Sequence, residues 1–299
     1  MQRAPKGQPA VLVEHLGVAV EVELPGGERR RVRVARRSGL VVGDTVLVDG
    51  ERLELSPRRT ELRRRTAGGA VHVVAANIDA LCVVAAVDPP AKAGLVDRAV
   101  VAARAAGIEP IVVVNKSDVP DTEGVIPAMR ARGDDGLAVL VVSAKTGAGL
   151  MELSALLARL GRVVLVGPSG VGKSSLLNRL VPGAARATSE LSVARGAGVH
   201  TTTTSTLWRL EGGGEIVDTP GVREYGLVDV PAEDLAAYFP AFTLVTEACR
   251  FRDCRHEDEP ACAVRRAVAD GRIPERRYVA YRTLLDEAKL VQRAATNRS

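Results

Sequence analysis

The most specific chemistry in the chain lies in eight consecutive residues, Gly167-Pro168-Ser169-Gly170-Val171-Gly172-Lys173-Ser174. The pattern G-x-x-x-x-G-K-[ST] is that of a loop that wraps phosphates. Its glycines let backbone amides turn inward on a β-phosphate. Lys173 reaches the β- and γ-phosphates as a catalytic cation, and the Ser174 hydroxyl binds Mg²⁺. Ser175 follows as a further nucleotide contact. A second group is suited to a metal of its own. Cys249, Cys254, His256 and Cys262 place three thiols and one imidazole within 14 residues. Three soft sulfurs and one nitrogen in a closed set of four suit structural Zn²⁺. Cys82, inside an apolar run, reads as a small buried side chain. His15 and His72 have no partner pattern and read as structural or surface residues.

The phosphate loop does not choose a base. Asn115-Lys116-Ser117-Asp118 does. It resembles the Asn-Lys-x-Asp motif of GTPases, in which Asp118 accepts two hydrogen bonds from guanine N1 and N2. Adenine cannot supply them, and an unpaired carboxylate is costly. Asn115 either contacts the base or ties the loop, and the Lys116 stem covers the ring. Ser143-Ala144-Lys145 resembles the loop that completes such a pocket. Asp218-Thr219-Pro220-Gly221 resembles the Asp-x-x-Gly motif, with Asp218 holding Mg²⁺ through water and the Gly221 amide sensing the γ-phosphate. Thr201 and Thr202 are both candidates for the switch threonine on Mg²⁺. The two guanine motifs precede the phosphate loop, whereas in Ras-like GTPases they follow it, so the order is circularly permuted.

Elements must position these motifs. Residues 10–60 read as short strands (18–24, 31–35, 43–48 and 53–55) separated by turns, which predicts a small basic barrel of the OB type. From about residue 70 strands and helices alternate. Strands are expected at 80–87, 111–114, 139–142, 163–166 and 216–217. Helices are expected at 95–106, 125–131, 150–160 and 174–180. This rhythm predicts βαβ units and a parallel sheet covered on both faces. Residues 183–205 lack an apolar period and read as a functional or mobile loop. Helices are expected at 264–269 and 276–291. The expected division is an OB-fold RNA-binding domain at 1–66, a permuted α/β P-loop domain at 67–231 and a helical zinc-binding domain at 232–299.

Composition bounds the rest. With 46% apolar and 26% charged residues among 299, the chain is an ordinary globular one. Its longest apolar run, 80–87, is far below the roughly 18 residues of a membrane span. The apolar stretch 11–13 is cut off by Glu14, so no signal peptide is expected, and the expectation is a cytoplasmic monomer away from membranes. The net charge of +5 matches the excess in residues 1–65, which hold 14 Lys+Arg against 9 Asp+Glu. Arg29-Arg30-Arg31, Arg33, Arg36-Arg37, Arg58-Arg59 and Arg63-Arg64-Arg65 form either a phosphate-backbone footprint or a solvated face. Only six basic residues are lysine, and Lys116, Lys145 and Lys173 each sit in a motif.

Together these features resemble the ribosome small-subunit-dependent GTPase A (RsgA/YjeQ) family. The barrel, the permuted order, His200-Thr201-Thr202-Thr203 and the stretch from Cys249 through Cys262 carry the resemblance. Ala261 stands where the family pattern has glycine, and Val199 where it has arginine. The resemblance implies binding and hydrolysis of GTP to GDP, stimulated by the small (30S) ribosomal subunit, contact with its 16S rRNA and a role in late maturation of that subunit. It also points to His200 as a catalytic group, because Val222 follows Gly221 where Ras-like enzymes carry a water-orienting glutamine. Gly170 stands where potassium-activated GTPases carry asparagine, so that route is not expected. The rival readings are a stand-alone metabolic NTPase and a non-catalytic GTP-dependent RNA-binding scaffold.

Overall fold

The structure is a computed structural model that describes residues 7–66, 69–184, 205–219, 227–228 and 230–296. Strands β1 (Gln8–His15), β2 (Ala19–Glu23), β3 (Arg29–Arg33), β4 (Thr45–Asp49) and β5 (Arg52–Leu55) build the N-terminal barrel. The first half of β1 pairs with β4. Its second half pairs with β2 across a register shift between Leu12 and Glu14, an irregularity that lets one strand serve two neighbours. Alternation decides which side chains fill the barrel: Val20 and Val22 are buried on β2, while Glu21 and Glu23 stand opposite Arg31 and Arg29 on β3. Those opposed pairs are ion pairs, at 2.7 Å for Arg31–Glu21 and 3.2 Å for Arg29–Glu23. Arg30 pairs with Glu28, Arg59 with Asp79 and Arg63 with Glu61. Arg58 clasps the fully buried Asp44 at 2.7 Å and donates to the Gly39 carbonyl. Much of the expected basic face is thus neutralised within the fold. Arg33, Arg36 and Arg37 are exposed and make no ion pair among the described residues.

Strands β6 (Glu61–Arg65) and β7 (Val71–Ala76) pair as an antiparallel hairpin that the strand rhythm did not reveal, and the expected boundary at residue 66 falls in its turn. The central sheet adds β8 (Ala80–Ala86), β9 (Glu109–Asn115), β10 (Ala138–Val141), β11 (Arg162–Val166), β12 (Ser205–Arg209) and β13 (Glu215–Asp218). Their spatial order is β10-β9-β8-β11-β13-β12, parallel throughout except for β12. The chain therefore enters the sheet in its interior, at β8, and reaches the phosphate-loop strand β11 only after laying down β9 and β10. Helices α1 (Leu95–Ala105), α2 (Val125–Arg130), α3 (Leu150–Leu160) and α4 (Lys173–Leu180) cover it. All seven residues of β8 are buried. Leu81 and Val83 pack with α1 on one face, and Ala80, Cys82, Val84 and Ala86 pack with Leu153, Leu157 and Leu176 of α3 and α4 on the other. Two covered faces explain why this strand reads as an unbroken apolar run. Residues 185–204 of the expected loop lie outside the described residues, and Ser205 begins β12, which the sequence reading missed.

The barrel is continuous with the sheet. The end of β1 pairs with β12 at Glu14↔Thr206 and His15↔Ser205. The Gly43 carbonyl accepts from Arg162 Nη1 at 2.7 Å and from Asn77 Nδ2 at 2.9 Å. Among the described residues no helix is long and apolar enough to cross a membrane.

The C-terminal part contains α5 (Pro240–Thr243), α6 (Ala263–Ala269) and α7 (Glu275–Thr296), packed around Phe239, Phe242, Tyr281, Leu284 and Leu285. It grips α1. Val101 of α1 belongs to this C-terminal core, Arg98 pairs with Glu287 at 2.7 Å, and Arg104 donates to the Tyr238 carbonyl at 2.9 Å. The deepest contact is Asp97, which binds Arg132 Nη2 at 3.0 Å and Arg277 Nη1 at 2.8 Å, with 6% of the Asp97 and Arg277 side chains exposed. Burial alone would raise the Asp97 carboxyl, yet the two guanidinium groups hold it below the usual carboxylate range. A carboxylate depressed by folding stabilises above its unfolded pKa of about 3.9, and that contribution is lost as pH falls through the folded value. Asp97→Asn removes the negative charge that Arg132 and Arg277 share at this buried site. It is expected to cost about 3–5 kcal/mol at neutral pH, with the gap to wild type closing in acid. Urea unfolding at about pH 7 and about pH 3 measures both. An equal gap at the two values would contradict the charge clamp.

Candidate nucleotide and metal sites

The phosphate-loop residues turn from β11 into α4. Two glycines there admit no side chain. At Gly167 (φ 150°) a Cβ would lie 2.3 Å from the Val84 carbonyl oxygen. At Gly172 (φ 95°) it would lie 2.3 Å from Asn115 Nδ2. The loop can therefore sit directly on β8 and on the end of β9. Val171 is buried beneath it, while Ser169, Gly170, Ser174 and Ser175 are exposed on its outer side. Lys173 Nζ crosses the loop to donate to the Gly167 and Pro168 carbonyls, both at 2.7 Å.

Asn115 links this loop to the neighbouring one. Its side chain is buried, Nδ2 donates to the Val171 carbonyl at 2.9 Å, and Oδ1 accepts from the Ala144 amide at 3.0 Å. Of its two expected roles, the structure displays the tie. Asp118 is set by the same pair of loops. Ser143 Oγ donates to its Oδ1 at 2.6 Å and accepts from the Thr146 amide at 3.1 Å, and Lys145 Nζ stands 3.8 Å from Oδ2. The Ser143 hydrogen bond foremost, then Lys145 and Lys116, holds the Asp118 carboxyl below the usual range. A carboxylate so fixed, with capacity left on each oxygen, can accept two parallel N–H groups from a planar ligand. Lys116 takes the left-handed backbone (φ 62°) that turns the chain sharply after β9, and its Nζ donates to the Asp88 carbonyl at 2.6 Å. Ser117 closes the turn through its amide to the Val142 carbonyl.

Asp218 ends β13, beside β11. Burial raises its carboxyl above the usual range, and Lys173 pulls the other way. Next to it the Thr219 hydroxyl is buried with no hydrogen-bond partner among the described residues, a feature no sequence signal had singled out. A buried acid short of positive charge and an unanswered hydroxyl fit a divalent cation with its water shell. His200, Thr201, Thr202, Gly221 and Val222 lie outside the described residues.

Cys249, Cys254, His256 and Cys262 converge, with all four ligand atoms within 4.8 Å of one another. Cys249 Sγ is 3.7 Å and Cys262 Sγ 3.5 Å from His256 Nδ1. Zn–S bonds of about 2.3 Å in a tetrahedron require ligand separations of about 3.5–3.8 Å, so this donor set fits zinc in number, softness and spacing. Burial first, then the neighbouring thiols, pushes the Cys254 thiol up to about 12. The cluster is braced by residues the sequence reading overlooked. Tyr278 Oη donates to the His256 carbonyl and Tyr281 Oη to the Arg255 carbonyl, each at 2.7 Å. Their spacing of three on α7, just after the cysteines, was the available signal. Ala261 adopts φ 57°, which accounts for the glycine of the family pattern at this position.

The RsgA GTPase family model matches residues 55–228. The chain is 41% identical over 289 residues to the small ribosomal subunit biogenesis GTPase RsgA of Pseudomonas aeruginosa, covering 93% of this chain and 85% of that protein. It is 37% identical to the RsgA of Haemophilus influenzae, covering 94% and 85%. Among solved structures, YjeQ from Thermotoga maritima superposes with a TM-score of 0.75 at 30% identity over 95% of this chain and 99% of that one. YloQ, described as a circularly permuted GTPase, gives 0.70 at 25% identity over 97% of both.

The left-handed Ala261 should make this knuckle less stable than it could be. Ala261→Gly is expected to raise the stability of the C-terminal part by up to about 1 kcal/mol. A chelator titration followed by circular dichroism would show it as a higher midpoint, and a lower midpoint would contradict the strain.

Proposed function

The chain belongs to the RsgA GTPase family and is a GTP hydrolase of permuted order, and from that premise we propose that it acts on the small ribosomal subunit during the subunit's late maturation. The observation that carries the nucleotide site is the Asn115 tie, which brings the phosphate loop and the Ser-Ala-Lys loop to the same end of the sheet. In this reading Asp118 selects guanine, Ser143 and Lys145 hold Asp118 in place, and residues 167–175 bind the phosphates, with Lys173 the cation on the γ-phosphate. Ser174, Asp218 and one of Thr201 or Thr202 hold Mg²⁺, and Gly221 senses the γ-phosphate. When bound, Mg²⁺ neutralises charge on the β- and γ-oxygens. Cys249, Cys254, His256 and Cys262 hold one structural Zn²⁺, which contributes folding free energy to the C-terminal part. The division into an RNA-binding barrel, a catalytic α/β part and a zinc-binding helical part is kept, with Arg33, Arg36 and Arg37 as the barrel's contribution to 16S rRNA binding. The chain works as a cytoplasmic monomer.

Hydrolysis needs a water held in line with the γ-phosphate. Val222 is apolar and cannot orient it, so the chain should turn over slowly alone, with His200 brought into place on the subunit.

Two experiments test this. GTP turnover measured with and without purified small subunits should rise steeply on their addition, and equal rates would contradict the ribosomal role. His200→Ala should keep nucleotide and subunit binding while losing roughly 10²–10⁴-fold of stimulated turnover, and a rate within a few-fold of wild type would remove His200 from the chemistry. Guanine selection is tested separately. Asp118→Asn should weaken GTP binding and favour xanthosine triphosphate, whose extra carbonyl accepts from an amide. An unchanged GTP affinity would show that Asp118 does not read the base.

A further inference from the structure

A chain of alternating charges crosses the joint between the barrel and the catalytic sheet. Main-chain pairing at that joint amounts to two residue pairs, Glu14↔Thr206 and His15↔Ser205. Two cavities open along it, of about 700 Å³ and about 530 Å³, and Arg209 of β12 lines both. The Arg209 guanidinium pairs with Glu23 at the end of β2 and stands 3.8 Å from Glu215 at the start of β13. Each of these carboxylates is also held by a second arginine. Arg29 binds Glu23 at 3.2 Å, and Arg162 binds Glu215 at 2.8 Å. The series Arg29–Glu23–Arg209–Glu215–Arg162 thus runs from β3 and β2 through β12 to the first residues of β13 and β11. Those two strands carry the chemistry at their other ends, with Asp218 closing β13 and the phosphate loop following β11.

We infer that Arg209 is a positioning residue for subunit-stimulated hydrolysis: it fixes the angle of the barrel on the catalytic sheet, so that a subunit held by the barrel also orients the nucleotide site. The inference rests on the proposed action on the small subunit. Three observations carry it. Only 9% of the Glu23 side chain and 19% of the Glu215 side chain are exposed, so Arg209 meets carboxylates that solvent screens poorly, unlike an ordinary surface pair. Arg209 itself lies between two cavities, where no close packing can replace the link it makes. The third observation is a second fixed point. The Gly43 carbonyl of the barrel is held by Asn77 and Arg162, which line the smaller cavity together with Arg209. One contact leaves a pivot, whereas two separated contacts set an angle. Arg162 serves both, through Nη1 to Gly43 and through Nε to Glu215. A barrel free to swing would still add binding energy, but that energy would raise affinity without orienting the reacting groups.

The test uses the full chain with Arg209→Gln, Glu23→Gln and the double variant. Glu23 and Glu215 keep Arg29 and Arg162 when Arg209 is lost, so the fold should survive, which circular dichroism checks. Without subunits, amide hydrogen exchange of residues 205–209 should be faster in Arg209→Gln, because opening the joint has become easier. GTP affinity and basal turnover should match wild type. With purified small subunits, the stimulated kcat should fall by at least about tenfold, while the subunit concentration for half-stimulation changes by less than about threefold. The double variant should be no worse than the worse single one, since both substitutions break the same link. Exchange as in wild type, an unchanged stimulated kcat, an equal fall in basal turnover, or additive losses in the double variant would each overturn the positioning role. If wild type itself is not stimulated by subunits, the ribosomal role fails and the kinetic half of the inference fails with it. The exchange measurement is made without subunits, so failure of the brace is distinguishable from failure of the ribosomal role.

Discussion

Two hydrogen bonds from one buried amide hold the nucleotide site together. Asn115 gives its Nδ2 proton to the phosphate loop and takes the Ala144 amide proton on Oδ1. The carboxamide carries its donor and its acceptor on separate atoms of one short planar group, so it can bridge two loops at once. The tie needs β9 to end beside both β10 and, across β8, the loop after β11. Spatial order in the sheet satisfies this, whatever the order in the chain. Permutation is therefore invisible to the pocket. Gly172 is part of the same constraint, since any side chain there would occupy the space of Asn115 Nδ2.

What permutation changes is the route out of the site. In this chain the strand that carries Asp218 is the last of the sheet, and residues Leu227 and Val230 already belong to the C-terminal core. That core also holds α1, the helix that follows the central strand β8, through Asp97, Arg98, Val101 and Arg104. The C-terminal part is thus attached to the catalytic sheet both by its covalent lead-in and by a buried charge clamp. The barrel is attached at the β12 edge of the sheet by main-chain pairing. The three parts meet through defined contacts on the sheet.

Much of this was legible in the sequence, for identifiable reasons. The phosphate loop, the guanine motif and the metal cluster require fixed residue types at fixed spacing, and the structure brings each set together. Buried strands such as β8 declare themselves as apolar runs, and Cys82 is buried as its neighbours implied. What failed to show either lacks a clean alternation or depends on partners distant in sequence. The β6–β7 hairpin carries three arginines on one strand, and β12 mixes serine, threonine, tryptophan and arginine, so neither offers a clean alternation. The charge of the barrel could not be read from a list of arginines, because Arg29 and Arg31 meet their glutamates only once β2 and β3 are in register. The tyrosine braces of the knuckle are likewise contacts to carbonyls, so the spacing of Tyr278 and Tyr281 signals a shared helix face but not the carbonyls it meets.

The central claim is that Asn115 assembles the pocket by joining its two loops rather than by touching the base. Calorimetric titration of Asn115→Ala with GDP and with pyrophosphate tests it most directly, because pyrophosphate has no base to contact. If the tie shapes the phosphate loop, both ligands should weaken by at least about tenfold, the order expected for losing a buried hydrogen bond and leaving its partner unsatisfied. Weakened GDP binding with pyrophosphate affinity unchanged would contradict it and return Asn115 to the role of a base contact.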